Sequence, residues 1–69
     1  MKIEINTKIK VKVLNGDVLT GIYNGIDSNG ILLKNAIVTY KDVDGTSKLN
    51  MIEAHIDFNK IKDLFEVIK

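Results

Sequence analysis

Apolar and polar residues alternate from Lys2 to Val13, with Ile3 and Ile5, then Ile9, Val11 and Val13, set against Lys8, Lys10 and Lys12. Period two with β-branched residues on one side predicts a half-buried strand. The break at Asn6-Thr7 separates a short leader from that strand, and the lysines form its solvated face or, as the alternative, a binding stripe. Asn15-Gly16 then predicts a tight hairpin of type I′, which needs positive φ at both central residues. A second strand follows over Asp17–Ile26, with Leu19, Gly21, Tyr23 and Gly25 on one face. Two glycines on one face let a strand bend sharply or let a second backbone pack close.

Asp27-Ser28-Asn29-Gly30 is a turn by composition. The apolar run Ile31–Tyr40, interrupted by Lys34 and Asn35, is a third strand, and Asp42-Val43-Asp44-Gly45 is the next turn. That turn is not a calcium loop: with Gly45 at the sixth position, the first is Tyr40 and the twelfth is Met51, where glutamate is required. From Ser47 to Phe58, Ile52, Ala54, Ile56 and Phe58 share one side. Leu49, Met51, Glu53, His55 and Asp57 share the other. Asn59–Lys62 forms a tight turn, and Leu64–Ile68 is expected to close the sheet as a fifth strand. Phe58, Ile61, Leu64, Phe65 and Ile68 also fit a helical repeat capped by Asn59. The strand is preferred because the sheet otherwise lacks its closing element. Evenly spaced turns at Gly16, Gly30 and Gly45 mark an all-β meander folded into a small barrel.

Composition narrows what such a barrel can do. Sixty-nine residues make one domain, and a domain of this size hides only about 60% of its unfolded surface. Self-association, disulfides or a metal usually supply the missing stability. The chain has no cysteine and one histidine, His55, which excludes disulfides and a Cys/His zinc site and leaves self-association. Ten cations, all lysine, face nine acids for a net charge of +1; no arginine supplies a planar fork for phosphate. No signal peptide and no apolar run of spanning length occur, so a soluble cytoplasmic protein that touches no membrane is expected. No nucleophile sits beside a base, so no catalytic role is expected, and no cofactor or metal.

Residues Val11–Ala36 resemble the first motif of the Sm-like (LSm) family. Ile9, Val11 and Val13 precede Gly16, Gly21 follows at the family's spacing, Tyr23, Gly25 and Asp27 continue the pattern, and Ile31-Leu32-Leu33 resumes the next strand. His55–Ile61 occupies the place of the second motif. The resemblance implies a strongly bent, five-stranded SH3-like open barrel over residues 1–69. It implies a homo-oligomeric ring of five to seven subunits joined through strands four and five, with single-stranded RNA bound around the pore. The loop after strand two and the loop between strands four and five would carry that RNA, which assigns the contacts to Ser28, Asn29, Lys34, Phe58 and Lys60. The family's histidine is missing from the first loop, Asp57 stands in the place of its arginine, and Phe58 in that of its glycine. Asn29 would offer an amide to a base, or support the turn through positive φ. Phe58 would stack on a base or fill the core, and Asp27 would cap its loop.

The predicted fourth and fifth strands carry no proline, and the fourth carries little charge; edges without such protection invite strand addition. Leu49 and Met51 would be covered by a neighbouring subunit, or else by the barrel's own core. A ring that uses the same scaffold to hold protein partners without RNA is the alternative function, favoured by Asp57 and the near-neutral charge.

Overall fold

The computed structural model describes residues 3–67. Five antiparallel strands form one sheet: β1 (Lys8–Val13), β2 (Val18–Ile26), β3 (Gly30–Asp42), β4 (Gly45–Asp57) and β5 (Ile61–Glu66). Their order across the sheet is β4-β3-β2-β1-β5. The sheet bends into an open, SH3-like barrel that does not close, because β4 and β5 are its two edges and do not pair. The expected all-β architecture is the one found.

The alternation in β1 is realised in full: Ile9 and Val11 are completely buried. Leu19 and Tyr23 of β2, Ile31, Leu33 and Ala36 of β3, and Ala54 and Ile56 of β4 complete the core. The bends come from β-bulges, where one extra residue on a strand forces a local kink. On β3 the pairing with β2 slips between Thr20↔Ile37 and Ile22↔Lys34, and Asn35 takes a positive φ of 50° at that point. Gly21 lies opposite. A Cβ there would stand 3.0 Å from both the Ala36 Cα and the Lys34 carbonyl oxygen, so the glycine permits the close approach its position suggested.

Several local expectations are corrected. The β1–β2 connection is not a type I′ turn, because only Gly16 has positive φ, at 99°. The Gly16 N–H donates to the Val13 carbonyl at 3.0 Å and the Val13 N–H to the Asp17 carbonyl at 3.0 Å. This is the three-residue loop that ends in a left-handed glycine. Asn15 keeps negative φ and accepts the Asp17 N–H on its Oδ1 at 2.9 Å.

Strand four does not carry Ile52 and Phe58 inward. Ile52 is 83% exposed, because the side-chain alternation switches at the bend opposite Asn35. Met51 and Leu49 lie opposite Ala36 and Val38 instead and so share their core-side face. That part of the β3–β4 hairpin overhangs the core, and both residues stay exposed. The strand ends at Asp57, and Phe58–Lys60 forms a single 3₁₀ turn.

The fifth element is a strand and begins at Ile61 rather than Leu64. The helical spacing of Ile61 and Leu64 has another origin: the β1–β5 register slips between Lys12↔Asp63 and Val13↔Ile61. This bulge at Lys62 turns both side chains toward the core, against which they pack. β1 begins only at Lys8, after the expected break at Asn6-Thr7, and Ile5 before it is 52% exposed; the expected end at Ile68 lies outside the described residues.

Candidate nucleic-acid interface

The turn after β2 is built by one carboxylate. Asp27 Oδ1 accepts the N–H groups of Asn29 and Gly30, each at 2.8 Å, and the Asp27 N–H donates to the Gly30 carbonyl at 3.0 Å. Short polar side chains hold turns in this way. Asn29 therefore supports the turn through its captured amide and not through positive φ, which it lacks. Register then brings the far end of β4 alongside, with Gly30 opposite Asp57. The Phe58 N–H donates to the Asn29 carbonyl at 2.9 Å, tying the 3₁₀ turn to the β2–β3 turn.

Between them lies a concavity of about 420 Å³ lined by Ser28, Asn29, Asp57, Phe58 and Asn59. Three of the five expected contact residues thus converge: Ser28 and Asn29 are exposed, and Phe58 is 43% exposed. Lys60 lines a neighbouring concavity of about 460 Å³ with Leu14, Leu19, His55, Ile56 and Asp57, held there as its carbonyl accepts the Leu14 N–H at 2.9 Å. Lys34 is not part of either. It sits mid-sheet between Ile22 and Glu53, and its Nζ donates to Asn6 Oδ1 at 3.3 Å.

His55 is a surface group, its side chain 36% exposed, and it bridges two carboxylates. Its Nε2 stands 3.1 Å from Asp27 Oδ2 and 3.3 Å from Oδ1, and its Nδ1 stands 3.4 Å from Asp57 Oδ1. The spacing of two between His55 and Asp57 already implied a shared strand face. The Asp27 contact spans 28 residues and needs the β3–β4 register.

The N–H groups of Asn29 and Gly30, then His55, hold the Asp27 carboxyl below the usual carboxylate range. A carboxyl whose folded pKa lies below its unfolded value stabilises the fold above the unfolded value, and that contribution disappears as pH falls through the folded one. The contribution is therefore complete above about pH 4 and is lost progressively below it, as pH falls through the lowered folded pKa. Asp27→Ala is expected to speed hydrogen exchange at the Asn29 and Gly30 amides at neutral pH. In denaturant titrations its stability deficit against the parent chain should shrink steadily as pH drops below about 4. A deficit that stays constant with pH would show that the carboxylate charge plays no part.

Among the described residues, no three metal-ligating side chains converge and no helix is long and apolar enough to cross a membrane. No protein-family model matches the chain, and no curated protein matches it significantly.

Proposed function

We propose that this chain is an Sm-like protein that assembles into a ring through β4 and β5 and binds single-stranded RNA at the concavity between its β2–β3 and 3₁₀ turns. The observation that carries the binding site is the Asn29–Phe58 backbone hydrogen bond. It brings a side-chain amide, able to read a base edge, beside a half-exposed aromatic ring, able to stack on a base. Assembly is supported by the sheet itself, since the 13-residue β4 is an unpaired edge and such an edge recruits a further strand. Lys60, on the adjoining concavity, would meet the phosphates as a point charge.

Fluorescence anisotropy with labelled oligouridylate and oligoadenylate at two salt concentrations tests the RNA site. Weak binding that declines with salt is expected. Phe58→Ala should weaken it about 5- to 150-fold, the loss of one stacked base. Failure of both oligonucleotides to bind at low salt would remove RNA from the account.

The carboxylates of Asp27 and Asp57 beside that concavity favour a second reading, in which the ring holds protein partners, because paired acids repel a phosphate backbone. Recovery of partners from host extract that resists nuclease would select it; nuclease-sensitive recovery would reject it.

A further inference from the structure

Near-neutral overall charge conceals a segregation. Asp17, Asp27, Asp42, Asp44 and Asp57 stand at the ends of strands or in the turns between them, whereas β1 presents Lys8, Lys10 and Lys12 in a row. Because Ile9 and Val11 between them are fully buried, the three lysines take the outward face, about 7 Å apart by the repeat of an antiparallel strand. Across β2 they meet only Ile22, Thr20 and Val18. Across β5, Lys10 is opposite Phe65 and Lys12 opposite Asp63. Glu66 is opposite Ile9 and belongs to the other face.

Among the described residues Asp63 is thus the one acid in register with the row, and its Oδ1 accepts the Leu64 N–H at 2.9 Å. The ion pairs among the described residues all involve His55 and none of these lysines. Phe65 is 40% exposed, with the Lys12 Nζ 5.8 Å from its ring centroid.

We infer that the outward face of β1, with Phe65 of β5, is a second docking track that takes the backbone of a single-stranded nucleic acid. Three unneutralised ammonium groups spaced near the interval of successive phosphates match a polyanion in an extended conformation. An aromatic ring flush with the row gives one base a surface to stack on, the pairing that single-strand binders use. A bilayer is the poorer fit, since the row is one charge wide and brings a single apolar ring, too little to anchor in an interface. The track lies on a different surface from the turn concavity.

Anisotropy titrations of labelled oligouridylate against salt test it. Replacing all three lysines by threonine, a good strand former, should weaken low-salt binding at least tenfold. It should also lower the slope of log K against log salt by about 2, three phosphate contacts at about 0.7 each. The triple Lys→Arg variant should keep both affinity and slope. Phe65→Leu should lose affinity severalfold at unchanged slope, and Asn29→Ala/Phe58→Ala should leave the lysine-dependent slope in place, which separates this track from the turn concavity. Should circular dichroism show the triple threonine variant unfolded, Lys10→Thr alone, with an expected slope change of about 0.7, carries the test. Unchanged slope in the folded variant, or capture by phosphatidylserine vesicles with no nucleic-acid binding, would overturn the assignment.

Discussion

Gly30→Ala is expected to leave the chain largely unfolded at 37 °C. A Cβ at this position would lie 2.1 Å from the Ile56 carbonyl oxygen, 2.7 Å from its carbon and 2.9 Å from the Asp57 Cα. All three atoms are backbone, so no rotamer change relieves the clash, and β3 must separate from β4 where Ile31 and Ile56 are buried. Overpacking and lost core contact together should cost about 3 kcal/mol or more. That is a large part of the total for a small domain and equals a fall in Tm of about 12–24 °C. Gly16→Ala is the control. Its φ is 99° but nothing lies within 4 Å of a Cβ there, so only backbone strain of about 1–2 kcal/mol is expected. Thermal melts followed by circular dichroism separate the two; equal losses would mean that the close β3–β4 approach at Gly30 is not a constraint.

The second large effect is on assembly. Leu49 and Met51 are 53% and 37% exposed although they face the core side of the sheet beside Val38 and Ala36. Among the described residues nothing lies beyond β4, because β5 pairs with β1 at the opposite edge. In the proposed ring a neighbour's β5 fills that place and covers both side chains. Leu49→Lys/Met51→Lys would bury two unpaired charges at each such junction, a cost of several kcal/mol, repeated at every interface of a closed ring. The double variant should run as a 7.7 kDa monomer in sedimentation velocity while the parent chain does not. Sedimentation of both chains at the same mass would show that this face takes no part in assembly.

Much of the barrel was legible because local signals agreed. Buried Ile9 and Val11 alternate with exposed Lys8 and Lys12 and half-buried Lys10, and Gly16, Gly30 and Gly45 each stand at a turn. Two of the errors share one cause, a bulge that interrupts a simple period. Positive φ at Asn35 switches the alternation in the hairpin, so Ile52 points out where its spacing from Ala54 and Ile56 placed it inside. The extra residue at Lys62 gives Ile61 and Leu64 a helix-like interval within a strand. Phe58 extends the apolar series of β4 by one step, yet its amide is drawn to the Asn29 carbonyl and the chain turns there. Of the site, Ser28, Asn29 and Phe58 were readable from their loops. The bridge from Asp27 through His55 to Asp57 was not, since it depends on a long-range register that no local pattern encodes.

In the proposed ring the two free edges of the sheet, β4 and β5, are completed by other copies of the same chain. Light scattering coupled to size exclusion measures this directly. A single species of five to seven 7.7 kDa subunits, about 40–55 kDa as a closed cyclic assembly, is the predicted result. A stable monomer at high concentration would contradict it.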